Sequence, residues 1–155
     1  MVIDIGKHKA AFRFRFYDEE SGKLKREKIV SNVIVNDGLQ RESEIRNGDE
    51  LTNTWLKKIE FGDDATTPTD RTLTALKNAV ESKLDFTGGS VGGSFPYETT
   101  RTVTIPASTF TRPLTVYEMA AFYGDDVMFN RAVDASGITM GVSEVVVIDY
   151  GVYLT

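Results

Sequence analysis

Apolar and polar side chains alternate along much of this chain, and the pattern is clearest near its beginning. Phe12, Phe14 and Phe16 alternate with Arg13 and Arg15. Because successive side chains of a strand point to opposite faces of a sheet, one face of this strand is aromatic and the other cationic. We expect the phenylalanines to enter the core and the arginines to remain in solvent. The alternative is that a neighbouring subunit covers one of these faces.

Turn-forming residues separate further runs that have strand character. The turn composition of residues 18–23 and the β-branched residues of 29–35 predict a hairpin. Residues 124–126 and 134–137 have the composition of two more turns. The run from Val145 to Ile148 is continuous enough to predict a strand that is buried on both faces. Further strands are predicted over residues 55–61, 97–107, 114–123 and 127–133, and the last strand is predicted to end almost at Thr155.

Three stretches interrupt this strand pattern. Residues 36–54 contain few apolar side chains and have glycine turns near both ends, which predicts a solvent-facing loop that could include a short helix. Farther on, Thr69 or Asp70 is placed to cap a helix in which Leu73, Leu76 and Val80 form one stripe. Residues 88–94 are rich in glycine and predict a mobile hairpin tip.

Together these elements predict a mainly β fold: an antiparallel, jelly-roll-like β-sandwich with one short helix and long loops. A chain of 155 residues is one ordinary domain. We therefore expect a single β-sandwich domain over residues 11–155, preceded by an amino-terminal arm over residues 1–10. The first residues lack the features of a secretory signal, and no apolar run has the length of a membrane-spanning helix, so no membrane partner is expected.

Composition argues against several kinds of chemistry. The chain has no cysteine, so disulfide and zinc-thiolate sites are excluded, which fits assembly in a reducing cytoplasm. With 18 basic and 23 acidic side chains, phosphate-backbone binding is not expected, and neither is a nucleic-acid partner. His8 is the only histidine, so catalytic sites built on histidine lack components. We predict no catalytic residue and no cofactor.

An acidic tract at residues 63–70 is the one candidate for metal binding. It contains Asp63, Asp64 and Asp70 among threonines and a proline, but it lacks the spacing of an EF-hand loop. We expect these carboxylates to cap turns and predict no metal site.

Four segments in the later part of the chain carry a resemblance to a known class of proteins. They are IEFGDD at residues 59–64, the Thr/Pro-rich tract leading to Leu73, RTVTIPA at residues 101–107, and LTVYEMAAFYG at residues 114–124. Their order resembles small structural proteins of tailed-bacteriophage virions, above all the amino-terminal module of tail-collar and tail-fibre proteins. The resemblance covers roughly residues 30 to 155. Ala120-Ala121-Phe122 stands where that family more often has Gly-Leu-Phe.

This resemblance implies a non-enzymatic virion component, attached at the tail, collar or baseplate as an adaptor or collar protein. It would be assembled in the host bacterial cytoplasm as a homo-oligomer of symmetric copies. Its partners would be other virion proteins, namely tail, collar, portal-adaptor or capsid subunits. A capsid decoration protein is one alternative. Another is a carbohydrate-binding β-sandwich, in which Trp55, Tyr97, Tyr117 and Tyr123 form a sugar platform.

The candidates for contact with a partner are of two kinds. Most are apolar side chains on the first strand or in the long loop, and two are charged residues on later strands. Glu118 is expected to be structural or interfacial, with Arg101, Arg112 or Arg131 as its partner. The full set of interface candidates is Phe12, Phe14, Phe16, Leu39, Ile45, Leu51, Trp55, Arg101 and Glu118.

Overall fold

A computed structural model of the chain describes residues 8–48, 55–66, 70–91 and 98–154. The predicted mainly β, antiparallel fold is confirmed. Its elements are β1 (His8–Asp18), β2 (Leu24–Ile34), α1 (Asn36–Arg46), β3 (Leu56–Gly62), β4 (Leu84–Asp85), β5 (Gly88–Val91), β6 (Glu98–Ile105), β7 (Leu114–Tyr123), β8 (Asn130–Met140) and β9 (Glu144–Leu154). Within these ranges no helix has the length and apolarity to cross a membrane.

All strands belong to one sheet that nearly closes into a barrel. Their order is β4-β3-β7-β8-β2-β1-β9-β6-β5, and every neighbouring pair is antiparallel. The two edge strands, β4 and β5, are the ends of one extended segment. Between them Phe86 N donates to Lys57 O at 2.8 Å, and Thr87 N donates to Thr102 O at 2.8 Å. This segment therefore bonds to β3 through its first part and to β6 through its second part, and it joins the two sides of the sheet.

The barrel interior is filled by side chains from alternate positions of the strands. Phe12, Phe14 and Phe16 are fully buried there, so their predicted entry into the core is confirmed. On the neighbouring β9, Val146 and Ile148 are also fully buried, whereas the valines beside them are half-buried. The prediction that β9 is buried on both faces is wrong, because its second face belongs to the outer surface of the barrel.

The connections between strands gather at two opposite ends of the barrel. We call one the helix end, because α1 lies there with residues 35, 55 and 124–129. The other is the turn end, formed by residues 19–23, 106–113 and 141–143. At the turn end Arg112 donates hydrogen bonds to four backbone oxygens. These bonds join the connection at residues 106–113 to the one at residues 141–143.

The helix lies in a different place from the one predicted by the leucine stripe. Residues 36–46 form α1, while residues 70–83 have no regular helix. Asp70 does accept a hydrogen bond from Thr72 N at 2.9 Å, but it caps a turn; Thr69 lies outside the described residues. Leu73 and Leu76 pack on the outside of the barrel. Because a carboxylate from β7 accepts the Lys77 and Asn78 N–H groups, these groups are not available to helix carbonyls.

Three other boundaries also differ from the prediction. β8 runs through residues 134–137 to Met140, and the chain turns at residues 141–143 instead. The local turn chemistry is nevertheless present, because the Asp134 side chain accepts from Ser136 N at 3.0 Å and Gly137 has φ of +78°. Residues 8–10 belong to β1 and not to the arm. Residues 88–91 form β5, and the rest of the predicted mobile tip lies outside the described residues.

Candidate interaction surface

An exposed tryptophan and a neighbouring arginine define the most distinctive surface of the helix end. Trp55 immediately precedes β3 and is 64% exposed. The Arg101 guanidinium carbon lies 5.6 Å from the centre of the Trp55 ring, and Arg101 Nε donates to Leu56 O at 2.9 Å. A cation over an indole ring is attracted by its negative face. The arginine is thus held by the backbone on one side and by the aromatic ring on the other.

Helix α1 lies at the same end of the barrel. Its Arg41 donates to Asp125 at 2.7 Å and lies over the ring of Tyr123, with the guanidinium carbon 4.9 Å from the ring centre. Tyr123 is the β7 residue that pairs with Leu56 of β3, which follows Trp55 in the chain. Burial raises the pKa of the Tyr123 phenol, so this side chain remains neutral. These contacts fix α1 beside the strand end that carries Trp55.

Four of the predicted interface candidates are found at this end with exposed or half-buried side chains. Leu39 on α1 is 41% exposed, Ile45 is half-buried, and Trp55 and Arg101 form the pair described above. We call Leu39, Ile45, Trp55 and Arg101 the helix-end patch. Leu51 lies outside the described residues.

The remaining candidates are not available to a partner. Phe12, Phe14 and Phe16 are at most 1% exposed, so the interpretation of these side chains as interface candidates is wrong. Their aromatic rings contact other core rings instead: those of Phe12 and Tyr150 lie 4.9 Å apart, and those of Phe14 and Phe61 lie 6.5 Å apart. Glu118 is fully buried and is structural, not interfacial.

Glu118 lies beneath a stretch of chain that covers the outer face of β7 and β8. We call residues 63–66 and 70–83 the outer segment. Glu118 Oε2 accepts from Arg131 Nε at 2.8 Å and from Lys77 N at 3.3 Å, and its Oε1 accepts from Asn78 N at 2.8 Å. Of the three arginines proposed as partners, Arg131 is the one that binds Glu118. Each carboxylate oxygen thus receives charge-assisted or backbone hydrogen bonds, as a buried anion requires.

Arg131 extends this network to the beginning of the outer segment. Its terminal nitrogens donate to Thr66 O at 3.1 Å and to Asp64 Oδ1 at 3.3 Å. The ion pair therefore binds the outer segment at both of its described parts. The outer segment also contributes Leu73 and Leu76 to a small apolar cluster, whose other members are Val35, Ala120, Phe122 and Met128. Glu118 and Arg131 therefore act at this site to attach the outer segment to the barrel.

The acidic tract next to this site forms turns, as expected from its composition. Asp64 accepts from Thr66 N at 2.8 Å and from Thr66 Oγ1 at 2.6 Å, and these bonds lower the pKa of the Asp64 carboxyl group. Asp63 accepts from the side-chain amide of Asn78. Among the described residues, no group of three or more His, Cys, Asp or Glu side chains is arranged to hold a metal ion.

A second ionic cluster at the turn end was not anticipated from the sequence. Glu144 is nearly buried at the start of β9 and accepts hydrogen bonds from Arg26, Lys25 and the Gly141 N–H. Burial opposes its ionisation, but the bonds from Arg26, Gly141 and Lys25 outweigh that effect and lower the pKa of Glu144 to about 2. The only sequence signal was a glycine-containing turn just before a strand, which is too common to identify a buried carboxylate.

The aromatic residues proposed as a sugar platform do not converge. Tyr123 is 3% exposed and packs inside the barrel, while Tyr117 lies half-buried against Gly137 on the outer side of β7. Tyr97 lies outside the described residues. Of the three described rings, that of Trp55 is the exposed one.

Comparisons of the chain with known protein families, with curated proteins and with solved structures find no match.

Proposed function

We propose that this chain is a non-enzymatic structural component of a tailed-phage virion, attached at the tail, collar or baseplate as an adaptor or collar protein. The observation that carries this proposal is the exposed Trp55 backed by Arg101 at one end of the barrel. Tryptophan and arginine are the residue types that most often dominate the binding energy of protein interfaces. The sequence resemblance to tailed-phage structural proteins suggests that such a surface would attach to other proteins of the virion.

The buried charges support an architectural role. Glu118 and Arg131 attach the outer segment, Arg26 holds Glu144, and Arg112 joins two loops at the turn end. Each of these groups is used to fix one part of the chain to another. A scaffold fixed in this way loses little conformational entropy when it docks, so more of the contact energy appears as affinity.

The location of the chain on purified phage particles tests this proposal. Antibodies against the chain should label the tail, collar or baseplate in immunogold electron microscopy, and mass spectrometry should find the chain among the particle proteins. A chain that is abundant in the infected-cell lysate but absent from purified particles would contradict the proposal.

The same experiment separates the alternatives. Gold label distributed over the head would indicate capsid decoration. Binding to specific glycans on an array, abolished by Trp55→Ala, would instead support the carbohydrate-binding alternative. Of the proposed sugar-platform residues that the structure describes, Trp55 is the one with an exposed ring.

A further inference from the structure

Strands β2 and β8 separate from each other shortly below the helix end. Their antiparallel pairing begins at Ile34 and Asn130 and ends at Asn32 and Ala132. Both strands continue towards the turn end, but over that length their described residues pair with β1 and β7 instead. The separation leaves a groove of about 440 Å³ between residues 29–33 of β2 and the β8 residues that follow Ala132.

An irregularity in β8 produces this separation. Between two consecutive pairs with β7, the β8 residues 134–137 lie opposite Tyr117 alone. Within this bulge the Asp134 carboxylate accepts from Ser136 N at 3.0 Å and from Ser136 Oγ at 2.6 Å. Lys28 of β2 reaches across to both side chains and bounds the groove at its lower end. Because these contacts fix the bulge, the groove is a built part of the fold.

The β2 edge of the groove presents backbone groups that can pair with another strand. Val35 N donates to Phe129 O across the pairing of β2 with β8. Backbone groups point to the two sides of a strand in turn, so those of Ile29 also point towards β8. The described pairing with β8 ends at Asn32, which leaves Ile29 without a strand opposite. An unpaired strand edge is a template for a strand from another chain.

The lining of the groove favours an occupant with apolar side chains. Ile29 is 63% exposed there. The Asn32 Oδ1 atom is buried and has no hydrogen-bond partner among the described residues, so it can accept a bond from an N–H group of the occupant. The other apolar lining residues are Val30, Val33, Val133 and Ala135. Because an unpaired charge is costly to bury, an extended apolar segment fits this groove better than a charged one.

We propose that this groove binds the amino-terminal arm of a neighbouring copy, which adds to β2 as a further strand. The arm before β1, residues 1–7, lies outside the described residues. Its residues 2–5 have the sequence Val-Ile-Asp-Ile, and the valine and isoleucines are apolar side chains with high strand propensity. This inference rests on the proposed function, since it identifies one virion partner as a second copy of the chain.

Length and composition select the arm among the segments outside the described ranges. The groove follows residues 29–33 of β2, a distance of about 16 Å in a strand, and residues 2–6 have the same extended length. Residues 49–54 begin with two acidic side chains, and residues 92–97 contain two glycines and a proline. Neither composition is typical of a strand.

The position of β1 favours a neighbouring copy over the same copy. β1 begins with His8 at the helix end, and β2 lies between β1 and the groove. Seven residues extend over at most about 25 Å, and within that length the arm of the same copy would have to reverse its direction and cross β2. The arm of another copy needs neither step. Exchange of an identical element between copies is a low-cost route to oligomers.

Two variants, studied separately and mixed, test the proposal. A chain that lacks residues 2–7 keeps the groove but has no arm. Ala135→Arg keeps the arm but fills the groove, because Ala135 is an exposed lining residue. By size-exclusion chromatography with light scattering over a dilution series, the wild-type chain should form oligomers and each variant alone should be a monomer. An equal mixture should form dimers, because one variant supplies the arm and the other supplies the groove.

Thr104→Arg is the matched control, since it places the same side chain at an exposed position on the outer wall. This variant should oligomerise like the wild type, and circular dichroism should show that all variants are folded. A fluorescent peptide of residues 1–7 should bind the chain that lacks the arm, as measured by anisotropy. The same peptide with Ile3→Asp and Ile5→Asp should not bind.

Three results would overturn the proposal: a wild-type chain that stays monomeric, an arm-deleted chain that still oligomerises, or an Ala135→Arg variant that behaves like Thr104→Arg. A monomeric chain that is nevertheless found on particles would refute arm exchange and leave the proposed function standing. Arm exchange by a chain that is absent from purified particles would refute the proposed function instead.

Discussion

Gly62 is the residue whose missing side chain allows the outer segment to approach the barrel. A Cβ at this position would collide with Glu118 Oε1 and would lie 2.6 Å from Asn78 O. The glycine therefore leaves room for the carboxylate that accepts the Asn78 N–H. Glycine is often required where a backbone or a charged group comes this close.

We predict that Gly62→Ala lowers the free energy of unfolding by about 2 to 3 kcal/mol, because the added methyl group forces Glu118 or the Asn78 backbone to move. Urea denaturation followed by circular dichroism measures the change. Gly88→Ala is the control, since a Cβ at Gly88 has no neighbour within 4 Å. Equal effects of the two substitutions would contradict this account of Gly62.

Glu144 gives the molecule a predictable dependence on acid. Its pKa is lowered from an ordinary value of 4.5 to about 2, because its bonds to Arg26, Gly141 and Lys25 outweigh the burial that opposes ionisation. A carboxyl group with a lowered folded-state pKa stabilises the fold fully above its unfolded pKa, and this stabilisation is lost as the pH falls towards the folded value. We therefore expect the stabilisation by Glu144 to be lost as the pH falls from 4.5 to about 2.

We predict that Glu144→Gln lowers the free energy of unfolding at pH 7 by about 2 kcal/mol, since charged hydrogen bonds are replaced by neutral ones. Between pH 4.5 and pH 2.5 the wild type should lose more stability than the variant. Urea denaturation at several pH values measures both slopes. Parallel slopes would show that Glu144 does not titrate in this window.

At the scale of elements, a buried ion pair holds the outer segment to the sheet, together with backbone bonds such as the one from Val80 N to Phe61 O at 3.1 Å. Arg131 on β8 neutralises Glu118 on the neighbouring β7, and each then bonds to backbone groups of the outer segment. Removing one member of a buried pair leaves the other charge without compensation, which costs more than the pair contributes in net stability.

We predict that Arg131→Met costs about 3 to 5 kcal/mol of unfolding free energy for this reason. The outer segment should also become sensitive to limited trypsin digestion at Lys77 and Arg71. Adding Glu118→Gln to the first substitution should recover part of the loss, because the uncompensated charge is removed. If the double variant is less stable than Arg131→Met alone, the uncompensated charge is not the source of the loss.

Local sequence pattern was enough to predict the elements whose side chains alternate. The phenylalanines of β1 and the turn residues after Asp18 predicted the first hairpin correctly, and β7 was also predicted over its full length. These elements follow from side-chain periodicity and turn chemistry, which a single sequence displays directly.

Other elements depended on tertiary contacts that a single sequence does not display. Leu73, Leu76 and Val80 have helical spacing, but Glu118 takes the backbone N–H groups nearby and holds the chain in an irregular path. The hairpin turn at residues 124–126 predicted that β7 and β8 are neighbours, but the choice of Arg131 as the partner of Glu118 also required their register, which places Glu118 opposite Val133 after a shift in the pairing. In the same way, the sequence alone does not distinguish Trp55 from the phenylalanines and Glu118 as an interface residue, because their burial depends on how the strands pack.

At the scale of the whole molecule, the barrel separates the groups that stabilise the fold from those that are exposed for contact. The core clusters and the ion pairs hold the wall and the outer segment, while Trp55 and Arg101 lie at one end. Substitutions of exposed residues outside such networks usually change stability little. Docking and stability are therefore expected to be separable by mutation.

We predict that Trp55→Ala leaves the unfolding free energy within about 0.5 kcal/mol of the wild-type value. Incorporation into particles should nevertheless fall by about tenfold or more, since truncating an interface hot spot costs about 2 kcal/mol of binding energy. Quantitative mass spectrometry of purified particles measures the copy number. Lys57→Ala, at an exposed neighbouring residue, is the control and should be incorporated normally.

The antiparallel pairing of β1 with β9 places His8 opposite Leu154 at the helix end. A dye attached at either of these two residues would therefore lie at the same end of the barrel as Trp55 and obstruct the surface under study. Labels for assembly experiments are better attached to the outer wall, for example as a dye on a cysteine introduced at Thr104, in a chain that has no other thiol.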